Sequence, residues 1–260
     1  MEITVKGVSI YYEQYGDKGK PEVLLLHGWM CDTTLFAPIA KALGEKMHVT
    51  VIDFPGHGKS GRPPEPWGVP EYAEAAYEMM KQLQIAPCSI IGHSFGGRVA
   101  IWLCANRPKM VTKLIITGGA GLRKPQTEEA KKRSAQYEKL KKRYLWMKNT
   151  GLFGSLPDRL AKALREKYGS KDYNHLDDEM RKTFVKVINL DLKSLLPSIK
   201  APTLLVWGDK DTETPVWMGE TMAAEIPDAA LIIFEGGSHY AYLEQWQRFT
   251  KIALHFFTEV

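Results

Sequence analysis

No run of about 18 consecutive apolar residues occurs in the sequence, so a membrane-crossing helix is not expected. Cysteine is scarce. The three present, Cys31, Cys88 and Cys104, are an odd number at spacings that match no metal site. Reduced, mostly buried thiols are therefore expected rather than a disulfide framework, with no metal and no cofactor. Met1 to Lys6 lacks the basic, apolar and small-residue order of a secretion signal and alternates like a strand, so a cytoplasmic location is expected. Nor is the chain short of apolar residues: 44% hydrophobic against 25% charged is an ordinary globular balance, which excludes a disordered chain.

Net charge is also modest, at +5 over 260 residues, but it is unevenly spread. Between Leu122 and Leu195 lie 19 of the 35 Lys/Arg and 10 of the 30 Asp/Glu, so that stretch is net basic and the remainder net acidic. A basic segment can attract nucleic acid or anionic ligands. Here the lysines follow helical spacing with no recognition motif, which reads as the solvated face of helices. Neither nucleic acid nor a membrane is expected as a partner. The sequence carries no signal of oligomeric state.

What is present is an alternation. Ile3 to Tyr15 alternates around Lys6-Gly7 as a β-hairpin would. Short apolar runs follow at Val23–Leu26, Val49–Ile52, Ser89–Ile91, Leu114–Ile116, Leu204–Trp207 and Leu231–Phe234. Stretches with helical spacing lie between most of them, such as Leu35-Ile39-Leu43 and Tyr72-Ala76-Met79-Met80-Leu83. Strands alternating with helices predict an α/β fold with a mostly parallel eight-stranded sheet covered by helices on both faces. A last helix, about Glu244 to Phe257, is expected to turn Trp246, Phe249, Ile252, Ala253 and Phe256 inward. The alternation fails between Gly121 and Leu195, where helix-like segments at Thr127–Lys148, Pro157–Tyr168 and Asp177–Leu190 occur with no convincing strand. That region is too long for a plain loop. It is expected to be a helical insertion, residues 122–195, in a core made of residues 1–121 and 196–260, standing over the strand ends.

The most informative segment runs from Ser89-Ile90-Ile91 into Gly92-His93-Ser94-Phe95-Gly96, followed by a helical pattern. A serine at a strand-to-helix turn needs small neighbours, and the helix N-terminus favours developing negative charge. A serine hydroxyl also needs a base. Of seven histidines, His239 is the best candidate, in the flexible turn Gly236-Gly237-Ser238-His239-Tyr240 after the last strand. His93 adjoins the serine, but its side chain should point away. His48, His175 and His255 fall on a strand start, a polar stretch and a helix. The base needs an orienting carboxylate. Trp207-Gly208-Asp209-Lys210-Asp211 offers two, and Asp211, farther out, is better placed to reach the next loop, with Asp209 as the alternative that could instead fix the turn. The backbone N–H groups of Trp29 and Phe95 are the expected oxyanion donors. His27 is expected to be a structural hydrogen-bonding group.

Taken together, the order Ser…Asp…His, the Leu26-His27-Gly28 loop, the segment Asp53-Phe54-Pro55-Gly56-His57-Gly58-Lys59-Ser60 and the elbow around Ser94 resemble the α/β-hydrolase superfamily over nearly the whole chain. That resemblance implies a serine-nucleophile member, similar to carboxylesterases and cofactor-free haloperoxidases (perhydrolases) in its His-Gly-Trp loop. It implies that the insertion is a cap shaping the substrate pocket, and that Asp53 and His57 are structural. The expected activity is cleavage of a small to medium carboxylic ester. A C–C hydrolase, thioesterase, lactonase or amidase on the same residues is the alternative, and a non-catalytic binder of the same fold a further one. Met30, Tyr240 and the aromatic cluster that includes Trp146 and Phe153 are expected to line the pocket.

Overall fold

The computed structural model describes residues 1–125, 127–150, 156–169 and 171–259. Its strands are β1 (Glu2–Val5), β2 (Val8–Tyr15), β3 (Glu22–Leu26), β4 (His48–Ile52), β5 (Cys88–His93), β6 (Val111–Thr117), β7 (Thr203–Gly208) and β8 (Ala229–Phe234). They form one eight-stranded sheet in the order β1-β2-β4-β3-β5-β6-β7-β8. The β1–β2 and β2–β4 pairs are antiparallel, and every later pair is parallel. Lys6 (φ 49°) and Gly7 (φ 78°) form the two-residue turn of the first hairpin, where positive φ at both positions matches the twist of the strands.

The central strands β3, β4, β5 and β7 are buried along nearly their whole length and carry apolar side chains on both faces, because both faces are covered. Leu24, Leu26, Ile90, Leu114, Ile116, Leu205 and Trp207 point to one side, against α2 (Val69–Gln82), α3 (Phe95–Asn106) and α8 (Val216–Glu225). Val23, Leu25, Val49, Val51, Ile91, Ile115 and Val206 point to the other, against α1 (Ala37–Leu43) and α10 (Trp246–Thr258). The period of two along each strand therefore serves two cores at once. In α10, Phe249 and Ala253 are buried as expected, whereas Trp246, Ile252 and Phe256 are half-buried at the rim of that face.

The remaining helices are α4 (Glu128–Thr150), α5 (Leu156–Tyr168), α6 (Lys171–His175), α7 (Asp178–Asn189) and the short α9 (Ala241–Glu244). The chain forms two compact units, Met1–Leu122 with Val185–Val260, and Arg123–Phe184. The second unit is shorter than the expected insertion of residues 122–195, for a physical reason. Val187, Leu192 and Leu196 are buried in the core beside α3, and Arg98 of α3 donates to the carbonyls of Val187 (3.2 Å) and Leu190 (2.9 Å). Inside the second unit α4 packs on α5 through Tyr137 and Tyr168 (ring centroids 5.4 Å apart) and through Arg133, which donates to the Lys167 carbonyl. Met147 is buried, while Lys131, Lys132, Lys139, Lys141 and Lys142 are exposed, as a solvated helix face requires. Among the described residues no helix is long and apolar enough to cross a membrane.

Candidate active site

The parallel order reverses direction about β3, which has β4 on one side and β5 on the other, and ligand crevices in such sheets open at the C-terminal strand ends. Ser94 stands at that edge, between the last residue of β5 and the first of α3, with φ 51° and ψ −109°. A side chain held at positive φ is strained by roughly 1–3 kcal/mol and persists only where its surroundings enforce it. Here they do. The Ser94 N–H donates to the Thr117 carbonyl (3.2 Å), and its own carbonyl accepts from Gly97 (3.0 Å) and Ala120 (3.1 Å). The flanking glycines are steric necessities: a Cβ at position 96 would lie 2.0 Å from the Leu26 carbonyl oxygen, and one at position 92 would lie 2.7 Å from that of Gly96.

Asp211 and His239 come from the loops after β7 and β8. Trp207, fully buried, donates its indole N–H to the Thr214 carbonyl (2.6 Å) and so fixes the far end of the first loop. The two carboxylate oxygens of Asp211 divide their work. Oδ1 accepts from the backbone N–H groups of Glu213 and Thr214, both at 2.9 Å. Oδ2 accepts from His239 Nδ1 at 2.8 Å and from the Thr214 hydroxyl at 2.7 Å. Burial pushes the Asp211 pKa up, but the His239 hydrogen bond and charge and the Thr214 donors outweigh it, holding the carboxyl below its usual value. Asp209 is exposed and contributes only its backbone N–H, to the Phe234 carbonyl. The acid brought to the histidine is thus Asp211.

With Nδ1 directed at Asp211, His239 presents Nε2 on its other side. Ser94 Oγ makes no hydrogen bond to Nε2 in this resting arrangement. An acidic group, Glu213, places its Oε2 3.6 Å from Nε2. The Thr117-Gly118 segment joins the parts: Thr117 receives the Ser94 N–H, and a Cβ on Gly118 would be 3.1 Å from His239 Nδ1 and 3.2 Å from Asp211 Oδ2. His93, the buried last residue of β5, donates Nδ1–H to the Thr117 carbonyl (3.0 Å), and its ring packs 4.8 Å from that of His239. Sequence spacing gave no sign of that contact, and Thr214 and Glu213 were not among the expected site residues.

The loop after β3 closes the opposite side. A Cβ on Gly28 would lie 3.4 Å from Ser94 Cβ, so Gly28-Trp29 runs directly beside the serine. His27 is buried, donates Nδ1–H to the Gly28 carbonyl (2.7 Å) and accepts the Phe54 N–H on Nε2 (3.0 Å), which makes it a neutral structural bridge. Burial lowers its pKa to about 4. Asp53 accepts from the N–H groups of Thr33 (2.6 Å) and Lys59 (2.8 Å), and His57 packs between the rings of Trp29 (4.6 Å) and Phe95 (6.2 Å). Phe95 supplies the first N–H of α3, where the helix dipole favours an anion. Met30, at φ 59°, is exposed, and Tyr240 is half-buried 5.4 Å from the His239 ring. Trp146 belongs to α4 of the second unit and is 60% exposed, and Phe153 lies outside the described residues. Among the described residues no group of His, Cys, Asp and Glu is arranged to hold a metal.

The model of the alpha/beta hydrolase fold family matches residues 21–245. The chain belongs to the α/β-hydrolase family. It is 28% identical to a pimeloyl-[acyl-carrier protein] methyl ester esterase of Chromobacterium violaceum over 97% of this chain and all of that one. It is 29% identical to the human serine hydrolase BPHL, covering 98% of this chain and 85% of the relative. Among solved structures, a hydrolase from Pseudomonas aeruginosa superposes with a TM-score of 0.76 at 23% identity, covering 100% of this chain and 98% of that one. An enol-lactonase from Burkholderia xenovorans superposes with the same score and identity over the whole of both chains. At such identities these superpositions speak to the fold alone, and they agree with the α/β-hydrolase resemblance read from the sequence.

The Thr214 hydroxyl offers a first test of the geometry. Hydrogen bonds to charged groups contribute about 1.5–3 kcal/mol. Thr214→Val removes one such bond from the Asp211 oxygen that holds His239 and leaves the backbone donors in place. An approximately tenfold fall in kcat for an ester substrate, with KM little changed, is expected, and steady-state kinetics on the purified variant will measure it.

Proposed function

We propose that the chain is a serine hydrolase cleaving carboxylic esters through an acyl-enzyme on Ser94, with His239 as base and Asp211 as its orienting acid. The observation that carries this reading is the 2.8 Å bond from His239 Nδ1 to a buried Asp211 carboxylate, set beside a serine in strained elbow geometry. Because Nδ1 keeps its proton for Asp211, Nε2 holds the free lone pair and is the base. Substrate entry brings Ser94 Oγ and Nε2 together, as often happens only in the loaded site. Nε2 takes the hydroxyl proton as Oγ attacks the carbonyl carbon. The N–H groups of Phe95 and Trp29 receive the oxyanion, each contributing on the order of 3 kcal/mol where such donors are aligned. The imidazolium then gives its proton to the departing alkoxide, and water repeats the sequence on the acyl-enzyme.

Relatives named for a methyl ester esterase and a serine hydrolase support ester cleavage as the reaction class. Three free thiols suit a reducing compartment, in keeping with a cytoplasmic enzyme. The test is a panel with matched acyl groups: p-nitrophenyl ester, thioester, anilide and a vinylogous diketone. The ester is expected to be turned over fastest, with a stoichiometric burst of p-nitrophenol before steady state. Faster cleavage of the diketone or anilide than of the ester would replace this reading with a C–C hydrolase or amidase.

A further inference from the structure

The mechanism above gives Glu213 no part, yet its carboxylate stands beside the working nitrogen of the base. Its Oε2 lies 3.6 Å from His239 Nε2, and its side chain is 66% exposed. Its backbone is fixed from below, because the Glu213 N–H is bound by the same Asp211 carboxylate that holds His239. The nearby half-buried thiol of Cys31 registers the field. Burial raises its pKa first, and the charges of Asp32 and Glu213 raise it further.

We propose that Glu213 sets the charge preference of the substrate, favouring esters with a cationic group near the scissile bond over neutral or carboxylate-bearing ones. The inference rests on the ester-hydrolase reading and adds the chemical class of substrate to it. Charge counting supports it. Transfer of the Ser94 proton to His239 as Oγ attacks rearranges charge within the site but leaves the net charge of Ser94, His239, Asp211, Glu213 and the reacting carbonyl together at that of two carboxylates. Asp211 is buried and fully engaged, with both oxygens accepting hydrogen bonds. Glu213 is the one turned to solvent, on the face where the leaving group and the deacylating water meet Nε2. A substrate cation about 6 Å away gains from this carboxylate at every stage, and an anion loses. At effective dielectrics between those of a protein surface and water, that gain corresponds to about tenfold in rate.

The experiment compares acetylcholine, its uncharged tert-butyl isostere and the acetate ester of a hydroxy acid of similar length, with p-nitrophenyl acetate as a common neutral reference. The wild type is expected to show kcat/KM about tenfold higher for the cationic than for the neutral isostere, with the anionic ester lowest. The cationic advantage should shrink as salt is raised, because the carboxylate is exposed. Glu213→Gln, an isosteric change at a solvent-facing position, should bring the three esters together when each is expressed relative to p-nitrophenyl acetate turnover by the same variant. Glu213→Lys should invert their order. Equal ratios in the wild type and Glu213→Gln would overturn the charge preference while leaving ester hydrolysis standing. Failure of the wild type to turn over any ester would overturn both.

Discussion

Ser94→Ala is expected to lower kcat for any ester by on the order of 10⁴-fold or more, and to leave the fold intact. The size follows from what is lost. Without Oγ no acyl-enzyme forms, so the reaction falls back on whatever the oxyanion donors and binding provide for direct attack by water. A 10⁴-fold loss corresponds to about 5.5 kcal/mol of transition-state stabilisation. Stability should hardly change, because Ser94 is only half-buried and its backbone hydrogen bonds to Thr117, Gly97 and Ala120 do not involve the side chain. The backbone supplies an internal control. Ser94 sits at φ 51°, a conformation that glycine adopts without penalty. Ser94→Gly should therefore be as inactive as Ser94→Ala but more stable, by about 1 kcal/mol or more. Kinetics combined with denaturant titration of both variants separates the two effects. A Ser94→Ala protein retaining a tenth of wild-type activity would remove the serine from the mechanism.

The second large effect is on stability in acid. Three histidines around the site are buried and neutral: burial lowers the pKa of His27 to about 4 and those of His57 and His93 to about 3. In the unfolded chain each returns to about 6.5. Between these limits the unfolded state binds more protons than the native one, so stability falls as pH falls. The contribution is complete above about pH 6.5 and is lost progressively below it, at up to about 1.4 kcal/mol per pH unit for each group. Three groups acting together give a slope near 4 kcal/mol per unit around pH 5, against a total stability of about 5–15 kcal/mol for a typical domain. Asp211, with its lowered pKa, adds a loss of the same sign at still lower pH, as the carboxylate protonates. The core is thus expected to unfold between about pH 4 and 5. Urea titrations from pH 7.5 to 5 will give the slope. His57→Phe, which keeps the aromatic packing against Trp29 and Phe95 and removes one titrating ring, should reduce it by about a third. Constant stability down to pH 5 would mean that these rings are protonated in the native protein.

Which parts of this arrangement could be read in advance follows from the range of the interactions involved. The sheet was legible because strands covered on both faces carry short apolar runs rather than a strict alternation, and the elbow because a serine at positive φ demands glycines at fixed offsets. His239 followed from its place after the last strand. The sequence favoured Asp211 over Asp209 on reach alone, and the loop geometry gives the physical reason: the chain turns so that Asp211 is buried and Asp209 exposed. Thr214 and Glu213 were missed, although the run Asp211-Thr212-Glu213-Thr214 carries the mark of an Asx turn, in which an aspartate oxygen accepts the N–H two residues on. That signal, had it been followed, would have placed both residues beside the acid. Helical periodicity continues through α7 without interruption, so the sequence marks no division within that helix. Only the three-dimensional contact between Arg98 and the carbonyls of Val187 and Leu190 ties the end of that helix to the core. His93 ends β5 as a buried strand residue, but its approach to His239 depends on a loop more than a hundred residues away, which no local pattern encodes.

The central claim, that Ser94 is the nucleophile, is tested most directly by mapping the covalent adduct of a fluorophosphonate. Wild-type protein is expected to take up one equivalent, with loss of ester hydrolysis in step, and peptide mass mapping should place the modification on Ser94. Ser94→Ala should take up none, and His239→Ala should react far more slowly. An adduct on another residue, or continued hydrolysis by fully modified protein, would contradict the account.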